Sequence, residues 1–363
     1  MRCRAFLLIT VFLLGWRWAG AVEYPPVVPG YEIQFPKDEG SHPEFRTEWW
    51  YVTGWLEDDK GQSLGFQVTF FRSRPGLAED NPSKFAPRQL LFAHAAVSDP
   101  SVGKLVHAER SAREGFGLAR AVESKLDVAI DDWSLRSVGA SRGARYVASI
   151  VASDISLQLE FVLTQAPLLQ GREGFSRKGP NPRAASYYYS LPHLRTTGGV
   201  RVNSQQYTVR GNAWMDHEWS SEVLDAQAQG WDWVGVNLDD GGALMVARIR
   251  SRQGGSLWAT GTLRPAHSSA TVQFTSDDVE WSAQRHWRSA RTGIEYPVEW
   301  QVQAGDRELL LQPLFDDQEN DARGSTGTIY WEGAVRVSDR TSGKRIGKGY
   351  LEMTGYGDRM RLQ

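Results

Sequence analysis

Cysteine is nearly missing from this 363-residue chain, where Cys3 is the only one. Cys3 falls inside an expected leader, so the mature chain can form no disulfide and no thiolate metal site. Nor can it carry a lipid on an amino-terminal cysteine. Long apolar runs are missing as well. The stretch Ala5 to Leu14 is shorter than the 20 or so residues that a bilayer helix needs. Basic charge is not in excess: 41 Lys and Arg face 43 Asp and Glu, for a net charge of −2. That supplies neither the basic patch of a nucleic-acid binder nor a polybasic hold on anionic lipid. Helical periodicity is nearly absent. There is no Gly-x-Ser-x-Gly elbow, so a serine α/β-hydrolase reading fails. There is also no phosphate loop and no dinucleotide fingerprint.

What is present begins with an export signal over residues 1–21. Arg2 and Arg4 precede the short apolar stretch, and Ala19-Gly20-Ala21 offers small residues for cleavage before Val22. The alternative is an uncleaved anchor, because Trp16 and Trp18 carry the apolar stretch past Arg17. Cleavage removes Arg2, Arg4 and Arg17 and takes the net charge to −5. Export without disulfides suggests a periplasmic or secreted bacterial protein of ordinary size. Nothing later in the chain is apolar enough to cross a membrane as a helix.

Residues 22–40 are proline-containing and read as an extended lead-in. Strand signals then dominate. Glu48 to Leu56 is aromatic and β-branched, the Glu57 to Gly61 stretch is a turn, and Ser63 to Phe71 is a second apolar run, which together make a hairpin. Ile155, Leu157, Leu159 and Phe161 share one face of an alternating strand, with Ser156, Gln158 and Glu160 on the other. Leu168 to Pro182 reads as a loop, and strands resume at Ala185 to Ser190 and Tyr207 to Met215. The pattern predicts an all-β chain of sandwiches or barrels. Its length suits two domains, 41–222 and 223–363, divided within the polar stretch Ser220 to Gly230.

Three clusters are long and rich in tryptophan. The first is His42-Pro43 with Glu48-Trp49-Trp50-Tyr51-Val52-Thr53-Gly54. The second is Gly211-Asn212-Ala213-Trp214-Met215-Asp216-His217-Glu218-Trp219, followed by Gly230-Trp231-Asp232-Trp233. The third is Tyr330-Trp331-Glu332-Gly333-Ala334-Val335 with Gly349-Tyr350-Leu351-Glu352-Met353-Thr354-Gly355-Tyr356. Together they resemble the AttH-like, or hydroxyneurosporene-synthase-like, family over almost the whole mature chain. That family includes carotenoid 1,2-hydratases and members described as secreted hydrolases. The resemblance implies two lipocalin-like (calycin-type) antiparallel β-barrel domains. It also implies action on a hydrophobic, isoprenoid-like molecule by Asp-mediated water addition, with no cofactor. The acid–base aspartate of the hydratases, in a Tyr-x-Asp pattern before Trp-Asp-Trp, corresponds to Asp216. Trp214 stands where that pattern has tyrosine, and Tyr187-Tyr188-Tyr189 stands where the hydratases have His-x-Trp.

The residues themselves support acid–base chemistry. Adding water to an alkene needs a proton donor at carbon and a base for water. A carboxyl group can donate near neutral pH only if burial raises its pKa. Trp214, Trp219, Trp231 and Trp233 are candidates for the apolar wall, and facing aromatic rings would stabilise a carbocation. In an extended strand Asp216 and Glu218 share one face and His217 and Trp219 the other. Asp216, His217 and Glu218 are therefore the candidate catalytic groups. Tyr187 and Tyr189 alternate onto one face and are expected to reach the cavity together. His193, His42 and Glu48 complete the candidate binding set.

Other readings remain open at this point. Asp216-His217-Glu218 also fits a buried, mutually hydrogen-bonded network closing the domain junction. With His42, His94 or His193 these residues are metal-ligand types, but no recognised ligand spacing appears and no metal is assigned. His94 lies in an apolar run and reads first as a satisfied core histidine. A non-enzymatic alternative is an envelope carrier that hands a hydrophobic ligand to an ABC-type transporter. Carbohydrate binding rests only on the tryptophan count and ranks last.

Overall fold

The structure is a computed structural model that describes residues 22–77, 79–139 and 145–360. The expected export signal lies outside the described residues. The chain is all-β: the single helical element among the described residues is one 3-10 turn, Lys37–Glu39. No described helix is long and apolar enough to cross a membrane.

Two antiparallel sheets account for the strands. The first curls into a nearly closed barrel of 13 strands, and the second forms a half-barrel of 10. The first runs from Thr47–Asp58 to Gln205–Glu222, and the second from Ala228–Leu238 to Arg345–Met353. This is the lipocalin-like all-β architecture the sequence leads one to expect. The predicted alternation is present: Ile155, Leu157, Leu159 and Phe161 are buried, while Gln158 on the other face is exposed.

The two longest strands, Ala185–Val202 and Gln205–Glu222, pair with each other and extend well beyond their expected limits. The irregularity that hides the first of them is a register shift between Leu191 and Leu194. Pro192 cannot donate to a ladder there, and His193 takes φ 53°. The expected Leu168–Pro182 loop contains two short strands, Leu168–Leu169 and Phe175–Arg177, both paired to the Ala185–Val202 strand. Gly211 lets Gln205–Glu222 lie against Thr47–Asp58, since a Cβ there would sit 1.9 Å from the Trp55 carbonyl oxygen.

Period-two alternation gives each central strand two buried faces with different destinations. Trp50, Val52, Phe66, Phe70, Met215 and Trp219 fill the interior of the first barrel. Tyr51, Trp55, Tyr188 and Trp214 point outward and meet Trp233, Met245, Ala334 and Tyr350 of the second sheet. The junction is tied by hydrogen bonds, with Trp55 Nε1 donating to the Gly349 carbonyl at 2.8 Å and Trp233 Nε1 to the Tyr188 hydroxyl at 3.0 Å. The lead-in is not merely extended. Val27, Asp38 and Glu39 are buried, and Trp50 Nε1 donates to the Glu39 carbonyl at 3.0 Å.

Candidate functional site

The strand Gln205–Glu222 carries chemistry on both faces, and the two faces do different things. Asp216, Glu218 and Trp214 face the second sheet. His217 and Trp219 face the interior of the first barrel.

On the outward face a cavity of about 240 Å³ lies between the sheets, and Asp216, Glu218, Tyr188, Trp231, Trp233 and Tyr51 are among its lining residues. Asp216 is buried and receives three donors. Ser190 Oγ reaches Oδ1 at 2.5 Å, Trp214 Nε1 reaches the same oxygen at 2.7 Å, and the Tyr188 hydroxyl reaches Oδ2 at 2.7 Å. Those donors are themselves fixed, because Gln170 donates to Ser190 and Trp233 to Tyr188. Burial pushes the Asp216 carboxyl up to about 7 against the pull of the Ser190, Tyr188 and Trp214 donors. Asp216 is thus poised to exchange a proton near neutral pH. Glu218 stands differently: Lys178 pairs with it at 2.8 Å and Ser186 donates to it. The ammonium of Lys178 also lies 4.5 Å from the centre of the Tyr188 ring.

The second sheet brings two carboxyls that sequence reasoning did not select. Glu332 and Glu352 are directly opposite each other on neighbouring antiparallel strands, and both line the cavity. Tyr51 donates to Glu332 Oε2 at 3.0 Å. Glu332 Oε1 is buried with no hydrogen-bond partner. Burial pushes Glu332 up to about 8, and burial with the neighbouring Glu332 charge holds Glu352 well above the ordinary range. The signal available in sequence was a glutamate at every-other position of two aromatic strands, Tyr330-x-Glu332 and Tyr350-x-Glu352.

The inward face holds a separate network. Glu48 Oε1 lies 2.7 Å from His42 Nδ1 and 2.9 Å from His217 Nε2, and its Oε2 pairs with Arg72 Nε at 2.8 Å. The lead-in supplies Asp38, whose carbonyl lies 3.0 Å from His217 Nδ1 and whose carboxylate lies 3.4 Å from His42 Nε2. Trp219 stacks on His42 at 3.9 Å and Trp50 on His217 at 4.8 Å. Burial opposes charge on His42, but Glu48 and Asp38 outweigh it and raise its pKa to about 9. Arg72 and His42 overcome burial to hold Glu48 well below the ordinary range, while burial lowers His217.

His42, Glu48 and His217 each offer one ligand atom within a 4.8 Å group, which makes them the metal-ligand candidates among the described residues. Their closest atoms stand at hydrogen-bond distance, 2.7 and 2.9 Å. Two ligands on a tetrahedral zinc would be roughly 3.3 Å apart. The Arg72 guanidinium already neutralises this carboxylate. In this geometry the three side chains are joined to one another by hydrogen bonds.

The expected site therefore separates into three parts. Asp216, Glu218, Trp231 and Trp233 reach the cavity, and Trp214 reaches it through Asp216. His217, Trp219, His42, Glu48, Tyr187 and Tyr189 lie in the packed first barrel. The pairing of Tyr187 with Tyr189 in a cavity is corrected: both belong to the barrel core, and Tyr188 between them faces the cavity. His193 is also misplaced by the sequence reading. The bulge turns it toward the Gly242 carbonyl, 2.7 Å from Nε2, away from the cavity-lining residues. Asp232 of the Trp-Asp-Trp run points to the other side of its strand, where Arg248 and Arg250 pair with it.

A two-sheet, lipocalin-like protein with a cavity at its sheet junction, walled by aromatic rings and buried carboxyls, defines the class. Residues 26–356 match the AttH-like family, and the chain belongs to that family. An AttH protein from Nitrosomonas europaea is 48% identical, with a TM-score of 0.84, over 92% of this chain and 100% of that one. Kievitone hydratase from Nectria haematococca shares the fold at 12% identity and a TM-score of 0.68, covering 92% of this chain and 96% of its own. CghA, solved with Sch210972, covers 86% of this chain and 89% of its own, at 12% identity and a TM-score of 0.51. No curated protein matches.

Proposed function

We propose that the protein is an exported enzyme that protonates and hydrates an unsaturated, largely apolar small molecule in the inter-sheet cavity, with Asp216 as an acid–base group. The observation that carries this reading is Asp216 itself. It is a buried carboxyl on a cavity wall, held by three fixed donors and titrating near 7. A general acid or base works best when its pKa lies near the working pH. Trp231, Trp233 and Tyr51 supply the aromatic surface that an alkene and its cation favour. The kinship in fold with a protein named as a hydratase supports water addition among the reactions that begin with alkene protonation. The leader-like first 21 residues support export.

The test is a panel of prenyl-substituted flavonoids and geraniol, with mass spectrometry reading the gain of one water. Wild type is expected to convert at least one member, and Asp216→Asn to lower that conversion by about 100-fold or more. Equal conversion by Asp216→Asn would remove Asp216 from the chemistry. Stoichiometric binding of panel members without conversion would favour the carrier reading.

A further inference from the structure

Asp216 is the acid–base group expected from sequence, yet its surroundings suit one half of that work better than the other. Each of its three neighbours has its proton committed toward Asp216. Tyr188 receives Trp233 and so donates onward, Ser190 receives Gln170 and does the same, and the Trp214 indole can only donate. Donors on every side favour the ionised carboxylate, the form that a base needs before it takes a proton. Across the cavity Glu332 and Glu352 are arranged the other way. They sit side by side on adjacent strands, where two carboxylates facing each other repel. Among the described residues no arginine, lysine or histidine pairs with either one. One oxygen of Glu332, a residue 1% exposed, has no partner and lies at the cavity wall. Gln67 Oε1, also on the cavity lining, is likewise unpartnered. A pair that cannot ionise fully keeps a proton to give.

We infer that Glu332 and Glu352 form the proton-donating pair of the cavity, leaving Asp216 to act as the base toward water. This rests on the hydration reading above and divides its acid and base between the two sheets. In the step, the alkene π pair takes the carboxyl proton and becomes a new C–H bond, and the Glu pair is left with one more negative charge. A water oxygen then bonds to the neighbouring cationic carbon and passes a proton to the Asp216 carboxylate. One proton has moved from the pair to Asp216, and exchange with solvent water restores both. The pattern is that of two carboxyl sites whose environments assign opposite roles. Titrating groups around the pair are the hydroxyls of Tyr51, Tyr330 and Tyr350, and the more distant Asp216 and Glu218.

Glu332→Gln, Glu352→Gln, the double variant and Asp216→Asn in the full mature protein test this, with urea midpoints confirming that each folds. Infrared spectra at neutral pH read protonated carboxyl groups with no substrate present. The protonated-carboxyl band is expected in wild type and Asp216→Asn, weaker in each Gln variant and weakest in the double. With the panel member that wild type converts, run in deuterium oxide, each Gln variant is expected to lose about 100-fold of deuterium incorporation at carbon. A band unchanged by the double variant overturns the pair as proton holder. Wild-type conversion by the double variant, with Asp216→Asn inactive, overturns the donor role while hydration stands. If wild type converts no panel member, hydration and the donor role fall together, whatever the infrared band shows.

Discussion

His94 gives the sheet junction a defined response to acid. It lies on Leu90–Ser98 of the first sheet and is 1% exposed. Both of its ring nitrogens meet the second sheet. Nδ1 is 2.6 Å from the Tyr330 hydroxyl, and Nε2 is 2.9 Å from Ser325 Oγ. Ser325 gives its own proton to Glu109 Oε2 at 2.5 Å. Nε2 must therefore carry a hydrogen toward Ser325, and Nδ1 accepts from Tyr330. A second ring proton would have to displace the Tyr330 donor. Burial, with His107 nearby, lowers the His94 pKa to about 3.

The unfolded chain holds a histidine near 6.5, so it binds a proton that the folded state refuses between about 6.5 and 3. The sign follows: this contribution is fully present above about 6.5 and is lost as pH falls toward 3. Each pH unit in that window removes about 1.4 kcal/mol, for about 5 kcal/mol as an upper bound. From about pH 7.5 to about pH 5 the loss is roughly 2 kcal/mol. The assay is urea unfolding of wild type and His94→Gln at both pH values. The variant is less stable at the higher pH, and the stability gap between the two proteins should shrink by about 2 kcal/mol at the lower. A gap that stays constant refutes the buried neutral histidine.

Three further outcomes follow from the same structure. Glu48→Gln leaves the buried Arg72 guanidinium without its carboxylate and should cost about 3–5 kcal/mol in urea unfolding. Tyr188→Phe removes a donor that favours the Asp216 carboxylate, so the Asp216 pKa rises. The low-pH limb of the pH–rate profile should then move up by about one unit if Asp216 is the base, and an unmoved limb speaks against that role. Gly211→Ala places a Cβ against the Trp55 carbonyl and should lower stability by about 1–3 kcal/mol, read by thermal unfolding.

Most of the strands, the all-β class and the family were legible in the sequence because each rests on local pattern; the strands Leu105–Arg113 and Val279–Arg288, whose side chains are mostly half-buried or exposed, were not. Alternation fixes which side chains share a face, so the pairing of Asp216 with Glu218 and of His217 with Trp219 follows from spacing alone. The same rule misled at Tyr187 and Tyr189. It says that they point the same way, but not whether that way leads to a cavity or a packed core. At His193 a bulge broke the alternation, and sequence gave no sign of it beyond Pro192.

Tertiary structure decided what those faces meet. A strand buried on both sides has two interiors, and local pattern does not rank them. Docking of the second sheet turned the Asp216 face into a cavity wall and left the His217 face to the ion network of the first barrel. It also brought Glu332 beside Glu352 by strand register, and both into one space with Asp216, more than 100 residues away in sequence. Register is set by hydrogen-bond ladders and packing between distant segments, which no window of sequence contains. The sequence by itself determined the folding pattern and singled out Asp216 as a candidate carboxyl. Only the assembled junction determined the company that carboxyl keeps.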